Sequence, residues 1–199
     1  FPTRRSSDLK IVERIREYCD RLTEETRLNW SCYATPAEGL SGKFIKQDKK
    51  AFGIIKGVTD KDYYTNSYHV PVYCPISIKN KIDIEAPYHK LCNGGHISYI
   101  EVDDCPNAET IMKIVNYAYK ETNISYMGIN FHIRYCKNCG TYLHNNECKC
   151  TKCGCQDIQG ISRVTGYLSL DERFGPGKYE EREDRRSHLE GNKKAYHCV

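Results

Sequence analysis

The sequence is poor in the residues that usually fill a large apolar core. Its 199 residues hold one Trp, two Met and five Phe, and the mean hydropathy is −0.68. Hydrophobic residues still reach 39%, enough for a core on the polar side. Sixteen tyrosines predict packing by amphipathic rings whose hydroxyls need partners. No apolar run approaches the roughly 20 residues that cross a bilayer, so no membrane partner is expected. The net charge of +4 is too small to argue for nucleic acid. There is no internal repeat and no low-complexity tract. The length suits one domain, or one domain plus a small module.

Cysteine is what the chain has in excess, with twelve in all. A secreted disulfide scaffold would explain that number. Against it, no signal peptide is visible, and several cysteines stand in Cys-x2-Cys pairs that suit a metal better. A reducing cytoplasm is the expected compartment.

Phe1 to Leu9 reads as a sequencing adapter translated in one frame, a non-native addition. The chain is therefore expected to begin inside a longer protein. Residues 10 to 28 form an amphipathic pattern with Ile11, Ile15, Tyr18 and Leu22 at helical spacing. Leu28 to Tyr33 suits a strand. Thr35-Pro36-Ala37-Glu38 then reads as a helix start, with Thr35 as N-cap and Pro36 in the first turn. Gly95 to Val102 alternates like a strand, Asn107 to Thr122 is helical with Ile111, Ile114, Val115 and Ala118 on one face, and Ser125 to Ile133 is a second strand. A strand–helix–strand unit predicts parallel pairing through a right-handed crossover. The expected divisions are an α/β portion over 10–133, a cysteine module over 134–158, a glycine-containing loop and charged tail over 159–188, and an unassigned tail over 189–199.

Cys136-x2-Cys139 and Cys150-x2-Cys153 are ten residues apart. Two such turns can surround one tetrahedral ion, and zinc is the first expectation. Gly140 and Gly154 follow the second cysteine of each pair, where the backbone can turn back toward the sulfurs. Cys148 and Cys155 complicate the choice of ligands. His144 is a less favoured substitute and reads as a surface loop residue. Four thiolates also suit an iron–sulfur cluster. A nucleic-acid-binding zinc ribbon is disfavoured, because Tyr142 is the single aromatic residue between the outer ligands.

Thirteen residues after Cys153 comes Gly166, within Arg163-Val164-Thr165-Gly166-Tyr167. This run resembles the motif of glycyl radical enzymes. The paired cysteines upstream narrow the resemblance to the anaerobic (class III) ribonucleoside-triphosphate reductases. Gly177-Lys178, Glu180 and Arg185 to His188 also resemble that family's C-terminal end, and the likeness covers roughly residues 20 to 188. Cys155 departs from it, standing where the family often has serine. A glycine is needed because a radical on the α-carbon is stabilised in a planar centre that a side chain would crowd. The plain alternative is a loop glycine kept for its φ/ψ freedom.

The resemblance implies an α/β fold: the C-terminal part of a glycyl radical enzyme α/β barrel, followed by a four-cysteine zinc-ribbon-like module and a glycyl radical loop. It implies Gly166 as the radical site and Cys136, Cys139, Cys150 and Cys153 as ligands of a structural Zn2+. It implies Thr35, Pro36, Ala37, Glu38 and Gly39 as a substrate-phosphate turn, an ordinary capped helix being the alternative. The implied activity is reduction of ribonucleoside triphosphates without oxygen, after an activase with an iron–sulfur cluster and S-adenosylmethionine installs the radical. A homodimer is expected at full length. The family's thiyl-forming cysteine lies upstream of this segment, so the chain alone is expected to be inactive. Tyr63 to Pro71 and Asn93 to His96 resemble family segments without a chemical role; His69 and His96 read as hydrogen-bonded core or loop histidines. Another glycyl radical enzyme, or a zinc-stabilised binding module without catalysis, are the competing functions.

Overall fold

The computed structural model describes residues 2–37, 39–144, 147–164, 166–189 and 195. Three helices come first: α1 (Pro2–Thr26), α2 (Gly39–Phe52) and α3 (Ile78–Leu91). The segment read as an adapter translation continues α1 without a break from Pro2. Leu9 packs with Val12, Cys32, Tyr88 and Cys92.

The strand–helix–strand unit follows as β1 (Ser98–Glu101), α4 (Ala108–Glu121) and β2 (Met127–Asn130). The strands pair in parallel, from Ser98 opposite Met127 to Glu101 opposite Asn130. The Asn107 side chain caps α4 by accepting from the Thr110 amide at 2.8 Å, the N-cap arrangement that satisfies an otherwise orphaned donor. Ile114 and Ala118 are buried against Ile82, Ile100 and Val102. Val115, expected on the same face, is exposed.

The rest is a four-stranded antiparallel sheet in the order β4-β3-β5-β6. Its strands are β3 (Ile133–Cys136), β4 (Tyr142–Leu143), β5 (Ile158–Arg163) and β6 (Leu168–Leu170). A short 3-10 turn (Asp171–Arg173) leads to α5 (Pro176–Asp184).

Two expectations near the N-terminal side need correction. Leu28 to Tyr33 is not a strand: it contributes one isolated bridge, Tyr33 to Gly95, and Leu28, Trp30 and Tyr33 are exposed. The helix expected from Pro36 begins at Gly39. A proline biases the residue before it toward extended backbone, and the Ala37 amide is held by Asn66 Oδ1 at 2.9 Å. An outside acceptor thus takes the donor that an N-cap at Thr35 would have satisfied.

α2 and α5 meet where Gly42 lies against Gly177. A Cβ on Gly177 would come within 2.7 Å of the Asp62 carbonyl oxygen and 3.0 Å of the Gly42 Cα. These are backbone atoms that cannot swing aside, so overpacking costs on the order of 1–3 kcal/mol. Gly177→Ala is therefore expected to lower the urea midpoint by that amount. Gly42→Ala, whose nearest contact is 3.4 Å, should cost less. Equal midpoints for the two variants would contradict this packing.

Candidate functional site

The two cysteine turns are built alike. The Cys136 amide donates to the Thr141 carbonyl at 2.9 Å, and the Cys150 amide donates to the Cys155 carbonyl at 2.8 Å. The Gly140 and Gly154 amides each donate back to the first cysteine of their pair at 2.8 Å. Both glycines have φ +71, a left-handed turn that a side chain would strain. This repeat brings the sulfurs of Cys136, Cys139, Cys150 and Cys153 within 4.8 Å of one another. Cys136–Cys153 and Cys139–Cys150 stand at 3.5 Å.

Zn–S bonds of about 2.3 Å in a tetrahedron place sulfurs roughly 3.8 Å apart. The four-sulfur cluster fits such an ion. Hydrogen bonds at Thr141 hold the Cys139 thiol down to about 6, toward the thiolate a metal needs. Cys148 is disulfide-bonded and Cys155 accepts the Asp157 amide through its sulfur at 3.3 Å; neither belongs to the cluster. His144 is also outside it, held by Asp104 at 2.8 Å.

β5 leads from this cluster to Gly166. Ile158 pairs with Cys136 at one end, and Arg163 pairs with Leu168 at the other. The five steps between them span about 17 Å at the usual rise per residue. The Val164 amide donates to the Tyr167 carbonyl at 2.8 Å, closing the β5–β6 hairpin around its tip. Gly166 is exposed there. A Cβ on it would meet no heavy atom within 4 Å, and its φ is outside the left-handed region. Thr165 lies outside the described residues.

The hairpin base rests on buried charge. Arg163 donates to Glu101 and its guanidinium lies 3.6 Å over the Tyr99 ring. Asn130 donates to the other Glu101 oxygen. Arg185, with no exposed surface, donates to the Val164 carbonyl at 3.2 Å and to Glu181 at 3.3 Å. Lys178 also pairs with Glu181. His188 completes the clamp: its Nδ1 accepts the Glu101 amide and its own amide donates to the Glu101 carbonyl, both at 2.9 Å. Burial alone would raise the Glu101 carboxyl, but Arg163 and Arg185 outweigh it and hold it near about 2. Burial drives the His188 imidazole down to about 4.

Beside the hairpin lies a cleft of about 360 Å³. Gly39 and Gly42 of α2, Val164 and Tyr167 of the hairpin, and the cations Lys43, Lys46, Arg173 and Lys178 line it, with no acid among the described lining residues. Of the residues expected in a phosphate turn, Gly39 reaches this cleft. Thr35, Pro36 and Ala37 lie in the extended segment before α2, and Glu38 lies outside the described residues. His69 and His96 stack at 5.4 Å between ring centroids; His96 is buried, but neither of its ring nitrogens has a hydrogen-bond partner among the described residues, so it is not the hydrogen-bonded histidine expected. Sequence reasoning missed Tyr99, Glu101, Asn66 and Glu181. Their polar types gave no periodic signal that they would be buried.

No described helix is long and apolar enough to cross a membrane. The family model for anaerobic ribonucleoside-triphosphate reductase matches residues 2–188. The anaerobic ribonucleoside-triphosphate reductase of Escherichia coli (strain K12) is 41% identical over 196 residues, covering 93% of this chain and 27% of that protein. A solved anaerobic ribonucleotide reductase superposes with a TM-score of 0.71 at 20% identity, over 90% of this chain and 28% of that one. The Thermotoga maritima enzyme, solved with MES in its active site, superposes with a TM-score of 0.67 at 22% identity, over 83% and 26%. These neighbours have the α/β architecture expected for this chain. The chain spans a little over a quarter of the length of the curated relatives it matches.

The clamp predicts acid sensitivity in two stages. A buried imidazole depressed to about 4 resists protons that the unfolded chain accepts below its ordinary 6.5. Its contribution is present above pH 6.5 and lost as pH falls toward 4. Glu101, depressed to about 2, contributes above its ordinary 4.5 and loses that contribution between pH 4.5 and 2. The urea midpoint should therefore be flat above pH 6.5 and fall steadily below it. His188→Gln should remove part of the first stage. A midpoint unchanged from pH 7 to 5 would count against the buried imidazole.

Proposed function

Because the chain belongs to the anaerobic ribonucleoside-triphosphate reductase family, we propose that it carries the radical storage site of that reaction on the Cα of Gly166. One observation supports this most directly: neither crowding nor a left-handed φ explains a glycine at the tip of the hairpin. What remains is the chemistry of an α-carbon without a side chain.

The four-cysteine cluster holds a structural zinc in this reading. Its four sulfurs fill a tetrahedral shell, so the ion has no open position for substrate. When bound, the ion cross-links the two turns, and β3 passes that restraint to β5. The separation of about 17 Å along β5 places the metal as a support for the hairpin, not as a reactant.

The exposed tip offers the Gly166 Cα–H bond to an activating partner. That partner, a radical S-adenosylmethionine enzyme with an iron–sulfur cluster, removes one hydrogen atom. The Gly166 radical in turn takes a hydrogen atom from a cysteine thiol in a part of the full-length protein that this chain does not supply. The resulting thiyl starts reduction of the ribose of a ribonucleoside triphosphate. Such chemistry needs a site kept from water. The full-length protein acts as a homodimer in a reducing cytoplasm, and the present chain alone turns over no nucleotide.

The substrate phosphates belong at the start of α2. The Thr35–Gly39 turn proposed for them narrows to its Gly39 end, since the Ala37 amide is already taken by Asn66. The positive end of the α2 dipole favours an anion. Lys43, Lys46 and Arg173 on the cleft lining add charge of the right sign.

Anaerobic incubation with the activase should give an electron paramagnetic resonance doublet, and Gly166→Ala should abolish it. The same variant should change the urea midpoint by no more than about 1 kcal/mol, because the position is open and φ is not left-handed. Exposure of the activated chain to air should cut it at Gly166. A doublet that survives the substitution, or no doublet in the parent chain, would leave the non-catalytic zinc module as the better reading. Chelation of the metal should lower the unfolding midpoint and speed amide exchange in β3 and β5. Exchange unaffected by chelator would remove the metal from its structural role.

A further inference from the structure

We propose that Asn66 is a positioning residue that couples the segment leading into α2 to the Gly166 hairpin, a reading that rests on the function proposed above. Asn66 is buried and makes two side-chain bonds to opposite sides. Its Oδ1 accepts the Ala37 amide at 2.9 Å. Its Nδ2 donates to Glu181 Oε2 at 3.4 Å. The other Glu181 oxygen accepts from Arg185 Nη2 at 3.3 Å, and the same nitrogen donates to the Val164 carbonyl at 3.2 Å. An unbroken polar chain thus runs from the residue two before α2, through Asn66, Glu181 and Arg185, to the backbone two residues before Gly166.

The amide side chain suits this place chemically. Ala37 offers a donor and Glu181 offers an acceptor, so the link needs one acceptor and one donor on a short planar group. Asn supplies both. A carboxylate would meet Glu181 with like charge, and an apolar side chain would leave the half-buried Ala37 amide without its partner.

The neighbouring residue adds an independent sign that this loop is held against its preference. Ser67 has φ +51, a left-handed conformation uncommon for a residue with a side chain. Its hydroxyl is buried with no hydrogen-bond partner. Backbone in that state persists where surrounding contacts over-determine it, and it concentrates at functional sites. The turn bond from the His69 amide to the Asn66 carbonyl at 3.4 Å spans Ser67, and the two Asn66 side-chain bonds fix the residue before it. Gly39, two residues after Ala37, and Val164 both line the cationic cleft. An anion settling at the start of α2 would then bias the hairpin, and the hairpin would bias the cleft by the same free energy.

Amide hydrogen exchange on the intact chain tests the link without radical, activase or nucleotide. Asn66→Asp keeps the acceptor for Ala37 and replaces the donor facing Glu181. It should speed exchange in the 163–168 segment at least several-fold while leaving Ala37 and the β1 and four-cysteine segments at their parent rates. Asn66→Ala removes both bonds and should speed exchange at Ala37 and at 163–168 together. A purely structural role would speed both variants everywhere in proportion to lost stability, and that uniform pattern would overturn the proposal. So would parent rates at 163–168 in the Asp variant, which decides the matter alone should the Ala variant not fold. Absence of the Gly166 doublet would defeat the radical reading and leave these exchange rates untouched, so the two failures are distinguishable.

Discussion

The buried ion pair between Glu101 and Arg163 is the contact on which the hairpin depends. Glu101 ends a parallel strand of the α/β portion, and Arg163 ends the antiparallel strand that leads into Gly166. Charge joins the two sheets at this point, with Tyr99 beneath the guanidinium and His188 bonded to the Glu101 backbone on both sides. Removing one partner of a buried pair leaves an uncompensated charge, at a cost of roughly 3–5 kcal/mol. The pair therefore fixes orientation more than it adds stability, since an apolar pair of the same shape could hold as firmly.

That arrangement explains the composition. A chain with mean hydropathy −0.68 is expected to build its core on the polar side. Here Arg185, Glu85 and Glu101 are buried as fully as the isoleucines Ile82 and Ile100. Opposite charges stand together through this interior: Glu85 with Lys81, Glu181 with Lys178 and Arg185, Asp171 with Arg182. Residues 176 to 188 look like a solvated tail, yet they fold back as the wall of the site.

This is where sequence reading stopped. The α4 helix and the parallel pair were legible because apolar spacing is local. The four-cysteine cluster was legible because its spacing carries the chemistry. Glu101, Glu181 and Arg185 were not, because the partners are 62 residues apart for Glu101 and Arg163 and no periodicity marks a buried acid. The start of α2 was misplaced for a related reason: a side chain 29 residues away outcompeted the local cap. Resemblance marked Arg185 to His188 as like the family's C-terminal end without saying what they touch.

The metal cluster and the ion pairs act on the two ends of one strand. At the Cys136 end, β5 is registered by β3, whose last residue is itself a ligand candidate. At the Arg163 end it is registered by Glu101 and by Arg185 on the next carbonyl. A six-residue strand held at both ends has little freedom to slide, and a one-residue slip would turn every side chain to the other face. Gly166 needs no side chain of its own to be placed. Its position is inherited from neighbours that are anchored on either side, which is the condition an α-carbon must meet if it is to work without a functional group.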